Sequence, residues 1–231
     1  MKIGIFTDSH YSSKELTCET RFNNQSLRKI EEAYAYFEKS GCDLVICLGD
    51  LIDTEDTVEK EIENLSLIAK VINKSPLRTV CLMGNHDAFV LTQEEFYSIL
   101  GIEPPKSECI EGRNLIFLDA CYSKSGKHYA PGDWDWRDIY YPFAAELKKE
   151  LGALSSPTYV FVHQNIDPNI REYHNLSNDE EIFDIIEESG VVKAVFQGHY
   201  HTGKESVHNG IRYIALPAMC ENEQAYWVFE L

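Results

Sequence analysis

Positive charge is scarce in this chain of 231 residues: 21 Lys and Arg stand against 38 Asp and Glu, a formal charge of −17 with His neutral. Nucleic acids and anionic membrane surfaces are polyanions, so this balance argues against both as partners. Small phosphate substrates stay open, because a few bound cations reverse the potential locally. Long apolar runs are missing as well. No stretch approaches the roughly 18 residues of a membrane span, and the opening apolar segment Ile3-Gly4-Ile5-Phe6 reads as a strand, so no signal peptide is expected. A cytoplasmic protein without membrane association is the expectation. The seven Cys, at 18, 42, 47, 81, 109, 121 and 220, are odd in number and form no CxxC. That excludes a full disulfide framework and points to free thiols in a reducing compartment. There is no G-x-S-x-G, no P-loop Lys motif and no Cys-phosphatase loop, so no serine or cysteine nucleophile is signalled.

What is present suits a core of some size. Hydrophobic residues make up 44% and charged residues 26%, and the length fits one domain over 1–231. Short apolar runs at 2–7, 43–48, 78–83, 115–119, 159–163, 191–197, 211–216 and 225–230 read as strands. Between them the apolar spacing turns helical. Leu27, Ile30, Tyr34 and Phe37 mark one helix, and Val58, Ile62, Leu65, Ala69 and Ile72 a second, with Asp56 and Glu59 as its expected cap. Thr92 and Glu95 form a capping-box pattern before a short helix ending near Gly101. A further helix is expected from near Pro142, through Phe143, Leu147 and Leu151, and another over 177–188 with Ser177 and Glu180 as its cap. Such alternation implies a layered α/β protein. The closely spaced last strands favour hairpins and so a mixed or divided sheet.

Polar residues gather where these strands end. Asp8-Ser9-His10 follows the first strand. Gly49-Asp50 follows the second, with Asp53 three residues on, and Gly84-Asn85-His86-Asp87 the third. His163 ends Tyr159-Val160-Phe161-Val162, and Gly198-His199-Tyr200-His201 follows Val195-Phe196-Gln197. Ligands of open α/β sheets collect outside the carboxyl ends of strands, so five such blocks point to one place. Carboxylate oxygens together with imidazole nitrogens suit Mn, Fe or Zn, whereas Mg alone asks for more oxygen. The blocks hold no Cys, so a structural Cys-zinc site is not suggested. The carboxylates and imidazoles exceed what one four-coordinate ion needs. Two ions about 3.5–4 Å apart, sharing a bridging carboxylate and a bridging water, would use them all.

In this order the five blocks resemble the calcineurin-like metallophosphoesterase family, and the resemblance covers about residues 1 to 220. It implies a four-layer α/β/β/α sandwich with mixed sheets, a dimetal site at one sheet edge, and hydrolysis of a phosphoester or phosphoanhydride. It places Asp8, His10 and His201 on one metal, Asn85, His163 and His199 on the other, and Asp50 between them. The ions would be divalent or mixed-valence Mn, Fe or Zn, with a bridging hydroxide as nucleophile. His86 would not be a ligand but would stand near the phosphate and protonate the leaving oxygen or stabilise the charge on it. Asp87 would orient His86, and Asp53 would stand behind the site.

The substrate is less legible. Residues 122 to 141 contain Tyr122, Tyr129, Trp134, Trp136, Tyr140 and Tyr141, an aromatic-rich insertion at about 120–141. Rings there would stack on a nucleobase or pin a long loop to the body, and Lys124, Lys127, His128 and Arg137 would meet phosphate. Tyr11 and Tyr200 adjoin expected metal ligands and would line the site or pack beneath it. The expected substrate is a small phosphate compound, a nucleotide included. Phosphodiesters such as cyclic nucleotides come first, nucleotide diphosphates and phosphomonoesters next, and phosphoproteins after them. A non-catalytic scaffold of the same fold is the alternative of a different kind. It would require a missing ligand or the loss of His86, and neither is missing here.

Overall fold

The structure, a computed structural model, describes residues 1–129, 131–132, 139–170 and 175–231. In chain order its elements begin β1 (Lys2–Phe6), α1 (Ser26–Lys39), β2 (Leu44–Cys47), α2 (Val58–Lys74), β3 (Thr79–Cys81), α3 (Asn85–Val90), α4 (Gln93–Leu100) and β4 (Glu108–Ile110). They continue β5 (Arg113–Leu118), α5 (Ala144–Ala153), β6 (Thr158–Val162), α6 (Asp179–Ser189), β7 (Val192–Gln197), β8 (Lys204–His208), β9 (Ile211–Ala215) and β10 (Tyr226–Glu230).

Two mixed sheets result. One has the order β10-β1-β2-β3, with β10 antiparallel and the rest parallel. The other has the order β4-β5-β6-β7-β9-β8, parallel inside and antiparallel at both edges. Strand alternation explains how they pack. Ile3, Ile5, Leu44, Ile46, Val80 and Leu82 leave one face of the first sheet and meet Leu115, Phe161, Ala194, Phe196 and Ile214 of the second in one buried cluster. Aligned register stacks Phe117 on Phe161 and Phe161 on Phe196, each pair with ring centroids 5.2 Å apart. The outward faces take the helices: α1, α2 and α4 on the first sheet, α5 and α6 on the second. The fold is the four-layer α/β/β/α sandwich. None of the seven cysteines is in a disulfide. Among the described residues no helix is long and apolar enough to cross a membrane.

Local differences from the sequence reading have local causes. Thr57, not Asp56, caps α2, its side chain accepting the Lys60 N–H. The helix expected from Ser177 begins at Asp179, and the one expected near Pro142 begins at Ala144. The Thr92–Glu95 box forms as read. The unforeseen α3 has six residues, too few to show a helical period. The unforeseen β4 and β8 are edge strands without a buried side chain, so they carry no apolar alternation.

Candidate metal centre

The chain leaves β1, β2 and β7 through strained turns. Asp8, His10, Asp50 and His199 have φ of 51°, 41°, 52° and 61°, a region that costs a residue with a Cβ on the order of 1 kcal/mol or more. Backbone bonds fasten the first two turns together: the Asp8 N–H donates to the Gly49 carbonyl and the His10 N–H to the Asp50 carbonyl, both at 3.0 Å. Gly84 and Gly198 leave room for the carboxylates. A Cβ on Gly84 would fall inside contact distance of Asp50 Oδ1, and one on Gly198 would stand 2.8 Å from Asp8 Oδ2.

Each carboxylate is anchored by one oxygen. Asp8 Oδ2 accepts from the Thr7 hydroxyl at 2.5 Å and the His199 N–H at 3.0 Å. Asp50 Oδ1 accepts the His86 N–H at 2.8 Å. The other two oxygens, Asp8 Oδ1 and Asp50 Oδ2, are buried without a hydrogen-bond partner among the described residues. They face imidazoles. Asp8 Oδ1 is 3.4 Å from His201 Nε2 and 3.7 Å from His10 Nε2. Asp50 Oδ2 is 3.2 Å from His163 Nε2 and 3.5 Å from His10 Nε2. Asn85 Oδ1 lies 3.2 Å from His163 Nε2, and the His10 and His201 Nε2 atoms are 3.2 Å apart. Ligand atoms of His199 lie within 4.8 Å of those of Asp50 and His163. The structure thus brings together Asp8, His10, Asp50, Asn85, His163, His199 and His201.

Contacts on the far sides of two rings aim their Nε2 atoms inward. His163 Nδ1 donates to the Leu48 carbonyl at 3.0 Å, and His201 Nδ1 lies 2.8 Å from Glu221 Oε1. Burial, with help from His86, lowers His10 to about 4, so it is neutral and able to ligate. Asp8 and Asp50 lie well below the usual carboxylate range: burial opposes ionisation, but the surrounding imidazoles outweigh it. Those carboxylates raise His163 and His201 to about 9 against burial, Asp50 acting on the first and Asp8 with Glu221 on the second. Bare carboxylate oxygens, an amide oxygen and imidazole nitrogens converging in a buried space fit transition-metal cations.

Comparison with known proteins gives the same reading. The family model for calcineurin-like phosphoesterases matches residues 1–203. The chain belongs to the calcineurin-like phosphoesterase family. A 3′,5′-cyclic-nucleotide phosphodiesterase of Nostoc sp. is 25% identical over 187 residues, covering 79% of this chain and 65% of the Nostoc protein. The chain therefore spans about two thirds of that relative's length. The 3′,5′-cyclic adenosine monophosphate phosphodiesterase CpdA of Haemophilus influenzae is 24% identical, covering 95% of this chain and 77% of the relative. A dimetal phosphatase of Danio rerio shares the fold with a TM-score of 0.83 at 15% identity, covering 99% of this chain and 91% of that one.

In this calcineurin-like phosphoesterase the partner of His86 is not the one expected. Asp87 was expected to orient His86, but its carboxylate is used by the backbone. Oδ1 accepts the N–H groups of Leu51 and Ile52, at 3.0 and 3.2 Å, and Oδ2 that of Gly84 at 3.0 Å. Burial and the nearby Asp50 raise its pKa to about 7. Asp87 therefore fastens the turn after β2 to the start of α3. Asp53 Oδ1 instead lies 3.2 Å from His86 Nδ1. Burial would raise Asp53, but His86, His10 and Arg21 hold it well below the ordinary range.

Tertiary contact adds groups that no block contained. Cys220 joins His10 and His201 in one group of ligand-bearing side chains, so a thiol does border the centre. Burial and Asp8 push its pKa well up, which keeps it protonated. Glu221 and Arg21 sit in loops and carried no sequence signal. Asp53 did, by its spacing from Asp50.

The expected substrate residues divide. His128 is committed to Asp119 Oδ2 at 3.2 Å and to the Tyr129 carbonyl at 2.9 Å, outside the His and Asp groups of the centre. Tyr11 bridges to Ile52, and the charges acting on its hydroxyl are those of Lys60 and Glu63 in α2 and of Glu55 before it. Tyr200 is half-buried between two centre histidines. Lys124 and Lys127 are exposed on a turn. Trp134, Trp136 and Arg137 lie outside the described residues.

Proposed function

We propose that the chain is a metal-dependent phosphohydrolase acting on small phosphodiesters, cyclic nucleotides among them. The observation that carries this is the pair of buried, unpartnered oxygens, Asp8 Oδ1 and Asp50 Oδ2, facing imidazole nitrogens at 3.2 to 3.7 Å. Asp8, His10 and His201 would hold one ion, Asn85, His163 and His199 the other, and Asp50 would serve both. Two Mn, Fe or Zn ions bound there supply Lewis acidity toward phosphoryl oxygens and make hydroxide available near neutral pH.

The remaining chemistry belongs to the chain. His86 has Nδ1 against Asp53; protonated on both nitrogens, the ring keeps Nδ1–H on that carboxylate and has the Nε2 proton to transfer. As a new P–O bond forms to water oxygen, the bond to the leaving oxygen breaks. That oxygen keeps the electron pair and takes the His86 proton, while the proton of the attacking water goes to solvent.

Two considerations support a diester. Both sequence relatives are named as cyclic-nucleotide phosphodiesterases. The second is charge. A monoester dianion asks for a cation beyond the metals; among the described residues the guanidinium of Arg21 is already matched by Asp53 at 3.3 Å, and Lys124 and Lys127 are exposed. The test is a panel with Mn²⁺-reconstituted protein: bis-p-nitrophenyl phosphate, p-nitrophenyl phosphate, cyclic AMP, ADP-ribose and AMP. The aryl diester should exceed the aryl monoester in kcat/KM, with turnover of at least one nucleotide diester or anhydride. Monoester turnover above every diester and anhydride by tenfold, about 1.4 kcal/mol, would overturn the diester reading.

A further inference from the structure

We propose that Arg21 is a positioning residue for departure of the leaving group, acting through Asp53 on His86. This rests on the phosphohydrolase reading above and assigns a role within it to a loop that belongs to none of the five blocks.

Asp53 is held from two sides. Oδ1 meets His86 Nδ1 at 3.2 Å and accepts the Thr54 N–H at 2.8 Å. Oδ2 accepts from the Thr17 hydroxyl at 3.0 Å, Arg21 Nη1 at 3.3 Å and Asn23 Nδ2 at 2.9 Å. All three donors on Oδ2 come from residues 17–23. That segment is a small hairpin closed by reciprocal backbone bonds between Thr17 and Arg21, both at 3.0 Å. Cys18 and Glu19 at its tip have φ of 48° and 64°, a conformation that persists only where surrounding contacts impose it.

Those contacts reach into the centre. Asn23, wholly buried, also donates to the His10 carbonyl at 2.7 Å. The Phe22 N–H donates to the Cys220 carbonyl at 2.9 Å. The Thr20 hydroxyl donates to Glu221 Oε1 at 2.9 Å, the same oxygen that faces His201 Nδ1. One hairpin therefore grips both carboxylates that orient histidines of the centre: Asp53 behind His86 and Glu221 behind His201.

Arg21 is the charged member of this grip. Its side chain is 17% exposed, and the carboxylate it meets is Asp53. Donors crowded on Oδ2 keep the carboxylate from rotating, so Oδ1 stays on Nδ1 and the His86 ring keeps its aim. Loss of the guanidinium leaves Thr17 and Asn23 in place but removes the charged donor and so weakens the hold on the carboxylate. The cost should fall on proton delivery to a poor leaving group and spare a good one, which departs with little protonation.

The experiment uses the Mn²⁺-loaded full chain and a series of aryl diesters whose leaving phenols run from p-nitrophenol to phenol. Arg21→Met should lower kcat about tenfold or more for phenol and less than about threefold for p-nitrophenol, with KM and metal content unchanged. Arg21→Lys should recover part of the loss. On a His86→Ala background, Arg21→Met should cost less than about threefold for phenol, because the residue it acts through is gone. An equal loss along the series, a rise in KM alone, or an additive loss on the His86→Ala background would overturn the proposal. If Arg21→Met fails to fold, Arg21→Lys decides: an unaltered leaving-group dependence overturns the proposal and a steeper one supports it. A wild-type chain that hydrolyses no member of the series would overturn the phosphohydrolase reading itself, and this inference with it.

Discussion

Asp8 and Asp50 are built alike: one oxygen tied to N–H or hydroxyl donors, the other bare and aimed at imidazole nitrogens. In the metal-free chain protons supply the missing positive charge, which is why His163 and His201 stand at about 9. The sign of the pH dependence follows. Both folded values lie above the ordinary histidine value of 6.5. The stability these pairs contribute is therefore complete below that value and is lost as pH rises through about 9. A metal ion must displace the same protons. Mn²⁺ binding at pH 7 should thus release protons, and affinity should climb by about tenfold per pH unit for each proton displaced, levelling off above the folded values. Calorimetric titration in two buffers of different ionisation enthalpy checks this. Buffer-independent heats at pH 7 would contradict it.

At the scale of elements, the site consists of strand ends and the turns that follow them. The turn after β2 and the start of α3 approach so closely that only a hydrogen fits on the Gly84 Cα, because a Cβ would meet Asp50. Gly84→Ala should therefore displace Asp50, lower metal content below two ions per chain and destabilise the fold by about 1–3 kcal/mol. Elemental analysis and thermal melts read the two effects separately, and an alanine variant with full metal content would show that the turn yields. Legibility differed among elements for physical reasons. The Thr92–Glu95 box was readable because both partners lie within one turn of chain. The partner of His86 was not, because Asp87 adjoins it in sequence while Asp53 reaches it only through the fold of the turn after β2.

Over the whole molecule, the two sheets meet in one buried apolar cluster. Phe161 lies at its centre, fully buried, stacked on Phe117 and Phe196 at 5.2 Å, and β6 carries it directly toward His163. Phe161→Ala should cost about 3–5 kcal/mol, a fall in melting temperature of about 6–20 °C for a chain of this length. Below the transition the variant should still bind two ions, since the contacts of His163 to Leu48 and Asp50 do not involve the Phe161 ring. A variant that stays folded but has lost metal would show that packing between the sheets sets the site geometry directly.

The sequence alone determined the layered α/β class, the positions of the interior strands and the seven polar residues that the turns bring together. Buried strands announce themselves by apolar composition, and the polar blocks sit directly at their ends. Only the tertiary structure decided which carboxylate serves which histidine, that Cys220 and Glu221 border the centre, and that the hairpin carrying Arg21 backs Asp53. The pairs Glu221–His201, Asp53–His86 and Asp8–His201 join residues 20, 33 and 193 positions apart. No periodicity or local spacing encodes them, because their partners meet only after both sheets have closed on each other.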